Sequence, residues 1–194
     1  VLDTVAPELV VTAPASNIVV SDESIRVAGF TTDPNNYYVS LLSINTDFSP
    51  DIEYWPEILN GAFEADVSLK ANHNNIINLS SYDWAGNLTT TSIRVYRDTS
   101  APVVVVSEPS MNAVTNATEI NLVGTVQDAS LKSLYVAETT ATIVDDTFSV
   151  SLALNENLNE IPIYAVDEAG NEKTIVHQVT RDTTAPVITI VSPM

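Results

Sequence analysis

Runs of alternating apolar and polar residues fill the chain. Glu119-Ile120-Asn121-Leu122-Val123 and Phe148-Ser149-Val150-Ser151-Leu152-Ala153-Leu154 alternate with period two, the spacing that turns one face of a strand to a core and the other to water. No segment sustains a helical period. Asp145-Asp146, Asn155-Glu156-Asn157 and Glu168-Ala169-Gly170-Asn171 punctuate the runs with residues suited to turns. The pattern predicts seven strands over 102–108, 118–127, 131–138, 140–145, 147–154, 159–167 and 171–181. A matching set is expected over 7–13, 24–31, 37–45, 52–56, 61–69, 74–83 and 87–97. Strands this short, with turns near every tenth residue, indicate Greek-key sandwiches. Pro162 falls inside a strand-like run and should sit at a bulge or where no ladder needs its N–H.

Self-comparison divides the chain. Asp3-Thr4-Val5-Ala6-Pro7 returns as Asp98-Thr99-Ser100-Ala101-Pro102 and again as Asp182-Thr183-Thr184-Ala185-Pro186, at spacings of 95 (98 − 3) and 84 (182 − 98) residues. Each copy runs into an apolar stretch. A second signature, D-x-A-G-N, occupies Asp83 to Asn87 and Asp167 to Asn171, again 84 apart (167 − 83). A repeated marker pair at one period signals a repeat architecture. The expected units are residues 1–98, 99–182 and the opening strand of a third repeat over 183–194. Gly29 aligns with Gly124 and Phe63 with Phe148, so about ten extra residues fall between Gly29 and Phe63, near 46–58. The pattern stops soon after its third start, which is the expectation for a piece of a longer array.

Composition sharpens this picture. Apolar residues make up 45% of the 194 positions, enough for folded cores. Seven Lys and Arg against 25 Asp and Glu give a net charge of −18. Such a chain repels phosphate backbones and anionic membrane surfaces, so nucleic acid is not expected as a partner; with no 18-residue apolar run, membrane insertion is not expected either. Cysteine is absent, and with it disulfide and thiolate chemistry.

At D-T-x-A-P before a strand and D-x-A-G-N closing the penultimate one, the chain resembles bacterial immunoglobulin-like repeats. These include the modules of large surface adhesins and the family named after domain B of glucodextranase. The resemblance implies an all-β fold of two tandem Ig-like sandwiches. It implies a stalk or spacer in a secreted or surface-displayed bacterial protein, with neighbouring repeats as partners. Contact with a glycan or cell-surface receptor would then run through other domains. The alternative role is a carbohydrate-binding or accessory module of a polysaccharide-degrading enzyme.

Candidate chemistry is sparse. His73 and His177 lie in no catalytic motif, and no nucleophile elbow, zinc-protease or phosphate-loop signature occurs. No enzyme activity and no required cofactor are expected. Calcium is the one ion the residues suit, since it takes oxygen ligands. Its candidate ligands are Asp98 and Asp182 at repeat boundaries, with Asp33, Asp83, Asp128 and Asp167 at strand ends. Each also has a structural alternative as a turn cap. In the insertion, Tyr54 and Trp55, near Tyr37, Tyr38 and Phe48, are candidates for stacking on sugar rings or for packing. Trp84 is expected to shield a domain junction.

Overall fold

Alternation of period two decides which side chains of each strand meet. The computed structural model describes residues 3–33, 39–47 and 49–192. The chain separates into two units, one of residues up to Ser100 together with Glu168–Gly170 and the other of Ala101–Asp167 and the residues from Asn171 on.

The first unit contains β1 (Glu8–Ala13), β2 (Ile18–Val20), β3 (Ser24–Thr32), β4 (Val39–Thr46), β5 (Ser49–Tyr54), β6 (Ala62–Ser68), β7 (His73–Asp83) and β8 (Leu88–Arg97). One sheet has the order β1-β3-β6 and the other β2-β8-β7-β4-β5. Their inner faces supply a core of Val27, Phe63, Val67, Leu69, Ile77, Leu79, Ile93 and Val95.

The second unit contains β9 (Val103–Glu108), β10 (Ala113–Thr115), β11 (Glu119–Gln127), β12 (Leu131–Val136), β13 (Thr139–Thr140), β14 (Ile143–Val144), β15 (Thr147–Ala153), β16 (Asn157–Asp167) and β17 (Glu172–Arg181). Its sheets run β9-β11-β15-β14 and β10-β17-β16-β12-β13. The core includes Leu122, Val126, Leu134, Val136, Phe148, Ile161, Ile163 and Val179. Aligned positions recur in both cores: Phe63 and Phe148, Ile77 and Ile161, Leu79 and Ile163, Val95 and Val179. The architecture is all-β, two tandem immunoglobulin-like sandwiches.

Two features depart from the strands expected from the pattern. Ile18–Val20 and Ala113–Thr115 fall outside every expected strand. They form short strands, paired in parallel with β8 and β17. Each follows an asparagine at positive φ, Asn17 or Asn112, where the chain leaves one sheet and joins the other. Three residues are too few to carry a period-two signal. The single strand expected over 140–145 is instead two pieces in different sheets, β13 on β12 and β14 on β15. Ala141 between them is buried, and its N–H bonds to the Leu134 carbonyl at 2.8 Å.

Pro162 lies in β16, where its carbonyl accepts the Ala137 N–H at 2.9 Å. The N and O of one strand residue point to the same side. The absent N–H therefore faces the hairpin turn beyond Val136, where no ladder donor is required. After β17 the described chain, residues 182–192, runs on without a strand partner.

Candidate cation site and surface aromatics

The D-x-A-G-N turn builds the first candidate site from the backbone up. Asp83 ends β7, and Gly86 turns the chain at φ 89°, a conformation that glycine adopts without penalty. The Asp83 carboxylate then accepts the Asn87 N–H at 2.8 Å on Oδ1 and the Asn87 side-chain amide at 2.7 Å on Oδ2. Asn87 Nδ2 also lies 3.3 Å from the carbonyls of Asp3 and Val5, which draws the D-T-x-A-P segment to the same turn. Burial alone would push the Asp83 carboxyl up. Hydrogen bonds from the Asn87 side chain and from the backbone of Asn87, Gly86 and Ala85 outweigh it and hold the carboxyl below its ordinary value.

Asp33 follows directly on β3. One carboxylate oxygen each from Asp3, Asp33 and Asp83 lie within 4.8 Å of one another. Asp83 is buried and the other two are half-buried. Charged carboxylates so close would repel, and a bound cation would relieve that repulsion. Calcium takes six to eight oxygens, and these three side chains fit as the charged part of such a set. Asp3 was absent from the candidates read off the sequence. Its signal was nonetheless present, because Asp3 opens the motif that supplied Asp98 and Asp182.

The remaining candidates fall at aligned positions. Asp98, Asp128 and Asp167 correspond to Asp3, Asp33 and Asp83 at offsets of 95, 95 and 84 residues (98 − 3, 128 − 33, 167 − 83). Asp167 reproduces the turn of Asp83, with Asn171 N–H and Nδ2 at 2.8 and 2.7 Å. Asp98 is buried, and its Oδ1 accepts the Ser100 N–H at 3.1 Å. Asp128 Oδ1 accepts the Ser130 N–H at 2.8 Å. Asp182 is exposed and caps the Thr184 N–H at 2.9 Å. All these carboxylates therefore act as turn caps, whether or not they also bind an ion.

The aromatics separate. Tyr54 packs against the first core, and its hydroxyl accepts the Ser68 N–H at 2.9 Å. Trp55, the next residue, is 53% exposed. Tyr37, Tyr38 and Phe48 lie outside the described residues. Trp84, expected to shield a junction, is 74% exposed at the tip of its turn; its neighbours Asp83 and Gly86 fix the backbone without using the indole. His73 Nε2 lies 3.4 Å from Asp47 Oδ2, whereas His177 is buried on the inner face of β17.

A paired polar device escapes any sequence pattern. Asn75 is fully buried, and its amide bonds to the carbonyls of Lys70, His73 and Val95 while its Oδ1 accepts the Lys70 N–H. Asn159, the aligned residue, does the same with Asn155, Asn157 and Val179. Each asparagine ties down the turn that leads into its long strand.

The architecture and its turn motifs define tandem immunoglobulin-like modules. Residues 102–183 match the family model described as glucodextranase, domain B, and the first repeat carries the same D-T-x-A-P and D-x-A-G-N motifs. Bacillopeptidase F of Bacillus subtilis (strain 168) is 30% identical over 114 residues. That match covers 59% of this chain and 8% of the peptidase, so the chain spans a small part of that relative. Among solved structures, an I-band fragment of titin superposes with a TM-score of 0.64 at 12% identity, covering 92% of this chain and 66% of that one. A 1.5-MDa bacterial ice-binding adhesin gives a TM-score of 0.44 at 15% identity, covering 90% and 65%.

Proposed function

We propose that the chain is a non-catalytic spacer segment of a secreted or surface-displayed bacterial protein. The observation that carries this reading is the exit from the first sandwich. Only five residues, 98–102, separate the end of β8 at Arg97 from the start of β9 at Val103. Three of them are tied to the sandwich they leave. Asp98 N–H bonds to the Val20 carbonyl at 2.9 Å, and Thr99 donates from N–H and Oγ1 to Asn72 Oδ1 at 2.8 and 3.0 Å. Ser100 N–H closes on Asp98 Oδ1, and the ring of Pro102 removes one more backbone rotation. A linker held this way leaves little slack, which is what a module that carries others outward requires.

Calcium belongs to this reading as a stiffening ion. Asp3, Asp33 and Asp83 would hold it in the first repeat, and it would supply positive charge to a chain of net charge −18. A second reading, glycan contact, is favoured by one observation, the exposed indole of Trp55 on the insertion. Loss of retardation in glycan affinity gels on Trp55→Ala would support it.

Nitrogen-15 relaxation of the whole chain tests the spacer. Both repeats are expected to share one rotational correlation time. Asn72→Ala, which removes the acceptor for Thr99, is expected to separate the two times. Independent tumbling of the unaltered repeats would overturn the reading.

A further inference from the structure

The segment beyond the second sandwich runs on outside any sheet. Val187, Ile188, Ile190 and Val191 are 84–90% exposed, and among the described residues 182–192 form no ladder. Four large apolar side chains so close together are costly to leave in water. Such a cluster marks an interaction surface.

What covers it can be read from the two earlier copies. In β1 the inward pair is Leu9 and Val11, and in β9 it is Val104 and Val106. The aligned pair in the last segment is Ile188 and Ile190. Val103 and Val105 face outward and are exposed, and their counterparts are Val187 and Thr189. β1 pairs antiparallel with β3, placing Gly29 opposite Val11. β9 pairs antiparallel with β11, placing Gly124 opposite Val106.

The exit from the second sandwich also copies the exit from the first. Asp182 N–H bonds to the Thr115 carbonyl at 2.9 Å, as Asp98 N–H bonds to that of Val20. Thr183 N–H is capped by Glu156 Oε1 at 2.9 Å, as Thr99 N–H is by the aligned Asn72. Thr184 N–H closes on Asp182 Oδ1 as Ser100 N–H does on Asp98 Oδ1.

We propose that Val187–Val191 is the first strand of a third sandwich, built to pair antiparallel with a strand whose glycine lies opposite Ile190. This goes beyond the spacer reading by naming the partner of one surface: a third copy of the repeat. It can fail while the junction of the first two repeats still behaves as a spacer, because its test does not depend on their relative motion.

The test completes the missing module from parts already present. Residues 111–181 are appended after Met194, which restores the repeat's own spacing behind the last D-T-x-A-P. Hydrogen exchange is then followed at Val187–Val191. The expected result is fast exchange in the 194-residue chain and at least hundredfold protection in the extended one, with a third unfolding transition. Ile188→Asp with Ile190→Asp should abolish the third transition and leave the first two unmoved. Because an appended module can fold poorly for unrelated reasons, a second variant rewrites β9 as the last segment, with Val104→Ile, Val105→Thr, Val106→Ile, Ser107→Val and Glu108→Ser. Its second transition is expected within about 10 °C of the original. An unfolded second repeat in this variant would overturn the proposal. So would a concentration-dependent dimer of the 194-residue chain that Ile188→Asp abolishes, since the partner would then be a second copy.

Discussion

The hydroxyls of Thr31 and Ser81 face each other across the first sandwich at 2.6 Å, both fully buried. The aligned pair in the second repeat, Val126 and Ala165, is apolar and equally buried. One repeat thus holds a hydrogen bond where the other holds a hydrocarbon contact. A satisfied buried pair and its apolar replacement differ little, whereas half a pair is expensive. Ser81→Ala alone is expected to lower the stability of the first repeat by about 1–3 kcal/mol. Thr31→Val with Ser81→Ala together should recover most of that loss. Urea unfolding of the four members of the cycle measures the coupling; additive losses would mean that the hydroxyls act independently.

Phe148 lies across Gly124, its partner in the β11–β15 register. A Cβ at Gly124 would fall 2.6 Å from the Phe148 Cζ and would also meet the Val105 carbonyl. Phe63 covers Gly29 in the same way, at 2.7 Å. Gly124→Ala is therefore expected to destabilise the second repeat by roughly 1–3 kcal/mol through overpacking. Adding Phe148→Leu should relieve only part of this, because the carbonyl of Val105 cannot move aside as a ring can. Full rescue in thermal unfolding would show that the backbone clash is unimportant.

These two pairings also mark what was legible in the sequence. Gly29, Gly124, Phe63 and Phe148 could be aligned from spacing alone, and they proved to be register partners. Period two located the long strands because each exposes one face and buries the other. It could not locate Ile18–Val20 or Ala113–Thr115, where three residues pair in parallel after a left-handed asparagine. It also fused Thr139–Thr140 with Ile143–Val144, since a strand that changes sheet keeps its alternation. At the candidate site, strand ends supplied Asp33 and Asp83, whereas Asp3, although it opens D-T-x-A-P, was not among the candidates. The Asn87 amide that draws Asp3 to them is a contact across 84 residues of chain (87 − 3), which no local pattern encodes.

His177 occupies a core position that the first repeat gives to Ile93. Both pair with an isoleucine of the preceding strand, Ile161 or Ile77. The imidazole is 2% exposed, and its Nε2 is buried with no hydrogen-bond partner. A buried polar atom left unsatisfied costs about 1–3 kcal/mol. His177→Ile is expected to stabilise the second repeat by about 1–2 kcal/mol and to leave the first transition where it was. A destabilised variant in calorimetry would show that the ring's shape matters more than its polar atom.

The carboxylates of Asp3, Asp33 and Asp83 yield a prediction about ion binding in the first repeat. Asp83 is a poor probe, because replacing it also disturbs the turn closed by Asn87. Asp3→Asn and Asp33→Asn are better, since an amide oxygen can keep the cap that Asp3 gives to the Val5 N–H while removing charge. An ion that binds only the folded repeat stabilises it by RT ln(1 + [L]/Kd), about 2.7 kcal/mol at a hundredfold excess over Kd. For a domain of this size that corresponds to a midpoint rise of roughly 10–20 °C. Screening of the overall negative charge acts more weakly, and sodium at matched ionic strength reproduces it. Thermal unfolding is therefore compared in calcium, in EDTA, and in EDTA with sodium. The expected outcome is a rise of the first transition specific to calcium, lost in both asparagine variants. Equal midpoints in all three solutions would leave the three aspartates with structural roles alone.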